Sequence, residues 1–395
     1  MLTPAEASSA IIDAVAPIAV ETVPLQVAAG RILAETRVAE RDLPPFDRVA
    51  MDGIAVRHAV VLGGRRRFRI AGTVAAGQEP IPLVNDEDCL EVMTGAMLPP
   101  GADTVVPVEQ ISLEDGHVSL GVDTLVPGAN VHRRASDGRA GDIVLTPGMR
   151  LRAPELAVAA SVGCAALKVA RLPQIAIVST GDELVGAEDA LKPWQIRRSN
   201  VHGIAAQLSE RGYSRLSLHH LTDDRGRLLE RIADLLANND VLILSGGVSA
   251  GKFDHVPGVL AELGVRRVFH KVAQRPGKPL WFGVTASGKP VFALPGNPVS
   301  TLVCLVRYVL PALDHAAGRS KVPVAGAILE DGCAGTGTLT SFVPVRRCGP
   351  GHASVRLCPT RGSGDFVSLV GTDGFVELAP GSPLPPGSTV PFYTW

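Results

Sequence analysis

The stretch VLILSGGVSAGKFDHV, Val241 to Val256, nearly spells a Walker A loop. Gly246 is followed, after four intervening residues, by Gly251 and Lys252. The next position should carry the Ser or Thr hydroxyl that holds magnesium. Here it is Phe253. The turn still offers several backbone N–H groups without side-chain obstruction, which suits a phosphate or another oxyanion. Asp254 lies two residues beyond Lys252, where a carboxylate could take over the metal role. A plain turn needs glycine only to reach positive φ. Ser245, Gly246, Gly247, Ser249, Gly251 and Asp254 together exceed that need.

Two more turns follow predicted strands, and all three should converge at one sheet edge. STGDEL (179–184) puts Thr180, Gly181, Asp182 and Glu183 at a helix N-terminus, where the dipole favours negative charge. Capping accounts for one of the two acids. In LPGNPVS (294–300), Pro295 and Gly296 make the turn, Asn297 caps a helix that Pro298 starts, and Ser300 follows; structural and functional readings weigh equally there. RPGKP (275–279) fixes Arg275 and Lys278 beside a tight turn of Pro276 and Gly277. That suits an oxyanion, and a surface hairpin with solvated cations is the plainer reading. PPFDRVAMDG (44–53) and MTGAMLPPGADTVVPVE (93–109) hold Asp52, Thr94, Asp103 and Glu109 near turns, where Asx turns and caps explain them.

The elements that must position these residues read as an α/β multidomain chain. TPAEASSAIIDAVAPI is helical, with Thr3 and Glu6 as a capping box, so residues 1–25 form the first part of a helical linking domain. Residues 26–140 form a β-rich inserted domain of short apolar runs between Gly and Pro turns. Residues 141–172 return to helix as the second part of the linking domain; LAVAASVGCAAL (156–167) reads as a packed helix, too short to span a bilayer. From 173 to 318 strands and helices alternate, which implies a doubly wound, mostly parallel sheet with ligands at the carboxyl ends of its strands. Residues 319–395 read as a small C-terminal β-barrel.

Composition narrows the classes. The chain has 395 residues, 46% hydrophobic but only 4% aromatic, so aliphatic side chains must fill several cores. A formal net charge of −1 excludes a global attraction to nucleic acid or an anionic membrane. The run Arg65–Arg69 reads as a solvated strand edge. Six scattered cysteines without CxxC read as reduced thiols of a cytoplasmic protein. The N-terminus lacks a basic n-region, so no signal peptide is expected.

The ordered set PPFDRVAMDGIAV, MTGAMLPPGADTVVPVE, AGDIVL, IAIVSTGDELV, SNVHGIAA, DVLILSGGVSAGKFDHV, RPGKPLWFG and VFALPGNPVSTLV resembles the molybdopterin molybdenumtransferase family, which includes the C-terminal domain of gephyrin. The resemblance implies a homodimer of four-domain subunits. It implies adenylylated molybdopterin and molybdate as substrates, Mg2+ as cofactor, and release of AMP as molybdenum joins the dithiolene sulfurs. The glycine turn would cradle the phosphates, and Asp223 and Asp254 would hold magnesium. Glu183 resembles an active-site acid. Asp137, Asp52 and Thr94 match motif positions of a lobe that reaches the active site of the partner subunit. Lys278 joins Arg275, Arg346 and Ser363 as molybdate candidates. Molybdopterin adenylyltransferase and molybdoenzymes are the candidate protein partners, with no nucleic acid and no membrane.

Several positions depart from the family pattern. Arg275 stands where Lys is usual, Ser136 replaces a carboxylate, Arg198 an Asp, Val49 a Ser and Ile54 an aromatic residue. They bear on molybdate affinity and leave the fold untouched. An adenylyltransferase-like or CinA-like nucleotide hydrolase and a gephyrin-like scaffold are the rival readings. Intact SGGVSAGKFD and TGDEL turns favour catalysis over the scaffold.

Overall fold

Every residue of the strand Ile175–Thr180 is buried, and its neighbours in sequence point to opposite cores. Ile175 and Ile177 pack with Val201, Ile204 and Leu208 of the helix Asn200–Glu210. Ala176 and Val178 pack with Leu228 and Ile232 of the helix Arg225–Asn238. A strand apolar on both faces needs a helix layer on each side, and burial of each such side chain contributes roughly 1.5–3 kcal/mol. This is the doubly wound arrangement expected from the alternation.

The computed structural model describes residues 1–248, 254–349, 353–381 and 383–395. It divides into two units. The larger comprises Met1–Glu35, Pro147–Ala153 and Ala166–Trp395, and the smaller Thr36–Thr146 and Pro154–Ala165. In the larger unit the central sheet runs Leu216–Leu221, Ile175–Thr180, Val241–Ser245, Pro290–Leu294, Trp281–Val284, Arg266–His270. The first four strands are parallel, Trp281–Val284 runs opposite to them, and Arg266–His270 pairs antiparallel with Trp281–Val284. The stretch Pro298–Ala316 is apolar enough by length and composition to cross a membrane. It packs instead into the core against Phe292 and Leu294.

The C-terminal strands Thr340–Cys348, Ser354–Leu357, Ala325–Leu329, Thr389–Thr394 and Gly374–Leu378 close on themselves, because Gly374–Leu378 pairs back with Thr340–Cys348. Closure of this five-stranded barrel removes the exposed edges that open sheets must protect. A half-buried ion pair ties it to the helices: Arg307 Nε donates to Glu377 Oε2 at 2.9 Å, and Arg307 Nη1 to Ser8 Oγ at 2.6 Å. Ser8 belongs to the helix Pro4–Ala14, whose Thr3–Glu6 capping box forms as its sequence indicates.

Two local readings change. The segment 156–167 is not one packed helix. The helix Ala153–Ser161 stops before Gly163, which takes φ +80°, and buries only Ala159. Ala166–Ala170 is then a strand antiparallel to Val20–Pro24, so a β ribbon sits in segments read as helical. In the smaller unit, Arg65–Arg69 does not make a sheet edge. Arg67–Val74 runs between Asp88–Val92 and His117–Leu120 in the interior of a six-stranded sheet. Period-two alternation leaves Arg67 and Arg69 outward and solvated on an interior strand, and Arg69 Nε meets Asp88 at 2.8 Å.

Glu377→Ala should leave the half-buried Arg307 guanidinium without its counter-charge and cost about 2 kcal/mol of stability, read by denaturant unfolding. Arg307→Met on that background should recover part of the loss. No recovery, or a cost below about 0.5 kcal/mol, would contradict the pairing.

Candidate active site

Three parallel neighbours in the sheet, Ile175–Thr180, Val241–Ser245 and Pro290–Leu294, end at the same edge. Their following turns touch. Gly246 N–H donates to Leu294 O at 3.2 Å. A Cβ on Gly246 would stand 2.7 Å from Thr180 O, and one on Gly296 would stand 3.6 Å from Gly246 Cα. Gly246 also sits at φ +105°, so glycine is required there by contact and by backbone conformation.

Asn200 fastens the second and third turns. Its side-chain amide lies 2.8 Å from Ser245 Oγ, 2.8 Å from Gly296 O and 3.2 Å from Thr301 Oγ1. Ser199 and Asn200 are both of residue types that cap helices. Ser199 takes the cap position without a side-chain bond, and Asn200 spends its amide on the sheet edge.

These turns open on a cavity of about 1600 Å3 within the larger unit. Thr180, Gly181, Glu183, Ser245, Gly246, Gly247, Pro295, Gly296, Asn297 and Ser300 line it. So do Asp223, Asp254, Arg275, Pro276, Gly277, Lys278 and Ser363. Ser249, Gly251, Lys252 and Phe253 lie outside the described residues. Asp182 does not line the cavity; its Oδ1 accepts from Asp223 N–H at 3.1 Å and so holds the next acid in place. Arg346 does not reach the cavity either. It is exposed, and its Nε donates to Gly371 O at 2.9 Å.

Asp52, Thr94 and Asp137 belong to the smaller unit. Asp52 Oδ1 accepts from Thr94 N–H at 2.6 Å and from its hydroxyl at 2.8 Å, and these two bonds hold its carboxyl below the usual range. Asp137 meets His132 Nε2 at 2.7 Å and the Ser136 hydroxyl at 3.1 Å; the His132 bond leads in lowering its pKa.

The cation-bearing turn of the cavity is rigid. Gln274 is fully buried; its amide donates to Pro276 O at 3.1 Å, and the Tyr308 hydroxyl donates to its carbonyl. Gly277 sits at φ +93°, and a Cβ there would come within 2.5 Å of Gln274 Nε2. Asn297 Nδ2 donates to Ser363 Oγ at 2.6 Å, which joins the third turn to a barrel loop.

Electrostatics divide the lining. Burial pushes the Asp223 carboxyl up, and the nearby negative charges of Asp182 and Glu183 add to it. No cluster of three or more metal-ligating side chains exists among the described residues. Magnesium, however, binds through one or two carboxylates plus waters and phosphate oxygens. Asp223 and Asp254 are hard oxygen donors on one cavity. These residues fit that ion. Thr180 Oγ1, buried beside Gly246 and Gly247, has no partner among the described residues and is available to donate to an anion.

Family comparisons cover the same architecture. The "MoeA N-terminal region (domain I and II)" matches residues 2–163, the "Probable molybdopterin binding domain" 176–315 and the "MoeA C-terminal region (domain IV)" 327–395. The molybdopterin molybdenumtransferase of Synechocystis sp. is 41% identical over 371 residues, 93% of each chain. This chain belongs to the MoeA family. The corresponding protein of Nostoc sp. is 36% identical over 76% of this chain and 70% of its own. The MoeA crystal structure from Pyrococcus horikoshii OT3 superposes with a TM-score of 0.84 at 26% identity, covering 100% of both chains. MoeA-family membership accounts for the strand-end turns, which the sequence displayed. Asn200 lies in the motif SNVHGIAA, but its fastening role is set by partners distant in sequence.

Asn200→Ala should cost about 2 kcal/mol by leaving Gly296 O and Ser245 Oγ short of a donor, read by denaturant unfolding. An unchanged midpoint and slope would show that the two turns hold without it.

Proposed function

We propose that this chain is a molybdopterin molybdenumtransferase, joining molybdate to adenylylated molybdopterin with release of AMP to give molybdenum cofactor. The observation that carries the proposal is the meeting of three strand-end turns around one cavity, with glycine where Cβ atoms would collide. A phosphoanhydride needs donors without side-chain obstruction; the Gly247 N–H and the Thr180 hydroxyl supply them, and Gly246 leaves the approach clear. Asn297 and Ser300 would orient the remainder of the nucleotide.

Asp223 and Asp254 would hold Mg2+. When bound, it supplies charge neutralisation at the phosphate oxygens as the anhydride breaks. Asp182 keeps the Asp223 backbone, and so its carboxylate, in place. Glu183 offers a carboxylate oxygen to orient the attacking water or take its proton. Molybdate is a dianion and needs cations without adjacent acids. Arg275 and Lys278, on the turn stiffened by Gln274, serve that need together with the Ser363 hydroxyl. Arg275 presents a planar fork, where Lys would present a point charge, so it should hold two molybdate oxygens at once. Arg346 has no part in this assignment.

The resemblance further supports a homodimer in which Asp52, Thr94 and Asp137 serve the active site of the partner subunit. The six cysteines are all free thiols, which fits a reducing compartment such as the cytoplasm. Matches on both flanks of the α/β domain favour this transferase over an enzyme built from an α/β domain alone.

The test is AMP release from adenylylated molybdopterin with magnesium and molybdate. Asp254→Asn should lower the rate at least a hundredfold while the protein stays folded, a loss of about 3 kcal/mol in transition-state stabilisation. Mixing Asp254→Asn with Asp52→Asn chains should restore a fraction of the activity through heterodimers. Full activity of Asp254→Asn would refute the metal assignment. Pyrophosphate release from ATP and molybdopterin in place of AMP release would favour the adenylyltransferase reading.

A further inference from the structure

A second cleft lies in the larger unit, lined by none of the residues of the cavity above. It is small, about 30 Å3, room for a group of a few heavy atoms and too little for a nucleotide. Its walls are unusually cationic. Five arginines line it, with Asp314 the one acid among its described lining residues. Three of them have carboxylate partners: Arg31 with Glu21, Arg171 with Asp240 at 2.8 Å, and Arg319 with Asp314 at 2.5 Å. Arg150 and Arg211 have none among the described residues. Arg150 Nη2 reaches only a backbone oxygen, Arg211 O at 3.2 Å. Two positive charges are therefore left uncompensated in a half-buried cleft, an arrangement that costs free energy unless an anion fills it.

Two further features point into the same space. Tyr213 is 7% exposed, lines the cleft, and its hydroxyl has no hydrogen-bond partner among the described residues. Arg150, Arg211, Arg319 and Asp314 line the same cleft as Tyr213. Arg31 Nε is buried and likewise unpartnered. The backbone stands back from the guanidinium of Arg150 on both sides. Gly30 (φ +77°) and Gly212 (φ +92°) flank it, and a Cβ on either would lie 3.9 or 3.8 Å from Nη2.

We propose that this cleft is a binding site for a small tetrahedral oxyanion of the phosphate, sulfate or molybdate class, held by Arg150 and Arg211 with the Tyr213 hydroxyl donating. Guanidinium groups match such anions with paired N–H donors, and a phenol adds a third direction. The bound anion would join the Gly30 loop, the Arg150 segment and the C-terminal ends of the helices Asn200–Glu210 and Leu310–Ala316. Its consequence is stabilisation of that junction, independent of turnover in the main cavity.

The experiment is thermal melting of the full chain with sodium phosphate, sulfate or molybdate, each against sodium chloride at equal ionic strength. An anion at tenfold its Kd should raise the melting temperature by roughly 2 °C over chloride. The ranking of the three salts identifies the natural occupant. On an Arg275→Ala, Lys278→Ala background, which removes the anion-holding cations of the main cavity, Arg150→Met and Arg211→Met should each abolish the remaining rise. Arg275→Ala, in the main cavity, should leave it in place and so separate this site from molybdate binding there. Should Arg150→Met fail to fold, Arg150→Lys, which keeps the charge and loses the fork, should weaken binding at least tenfold by calorimetry. A rise equal to that in chloride, or one that survives Arg150→Met, Arg150→Lys and Arg211→Met on that background, overturns the proposal.

Discussion

Close approach of three strand ends is the constraint on which the rest of the larger unit depends. Parallel strands in a sheet lie about 4.8 Å apart, and the turns that leave them must crowd into that spacing if they are to face one ligand. Gly246 makes this possible by presenting no Cβ to Thr180 O, and Gly296 by lying against Gly246 itself. Asn200 then holds the arrangement with one amide aimed at the second and third turns and at Thr301. The helix that carries Asn200 is itself fixed by Val201, Ile204 and Leu208 against Ile175 and Ile177. Core packing on one face of the sheet thus sets the geometry of its edge.

Around that edge the lining is polarised. Asp182, Glu183 and Asp223 gather acids on the first strand's side, where burial and mutual repulsion raise the Asp223 pKa. Arg275 and Lys278 stand on a separate turn whose shape is enforced by Gln274, Tyr308 and the missing side chain of Gly277. A substrate carrying a phosphoanhydride and a second oxyanion needs both kinds of surface. Acids accept a cation that bridges phosphate oxygens, and fixed cations accept the free dianion. The barrel contributes through Ser363, tied to Asn297, and is anchored by Arg307 and Glu377.

Much of this was legible in the sequence because it follows from local rules. Strand and helix alternation, the Thr3–Glu6 capping box and the glycine turns each depend on residues a few positions apart. Legibility fails where a role is fixed by distant partners. Asn200 acts on residues 45, 96 and 101 positions away, and nothing nearby distinguishes it from a helix cap. Arg346 was chosen for charge and motif position. Its placement depends on the facing of a barrel strand, and the Gly371 carbonyl takes its Nε. Ala166–Ala170 is Ala-rich and local propensity favours helix, yet pairing with Val20–Pro24 makes it a strand. Arg67 and Arg69 looked like an edge because exposed charge marks edges, but an interior strand with one wet face shows the same pattern.

The most direct test is a crystal structure of the chain with adenylylated molybdopterin and magnesium bound. The expected result has the phosphates against the Gly246–Gly247 turn, within hydrogen-bond reach of Thr180 Oγ1, with metal density between Asp223 and Asp254. A nucleotide bound elsewhere, with this turn and Thr180 facing solvent, would contradict a strand-end phosphate site.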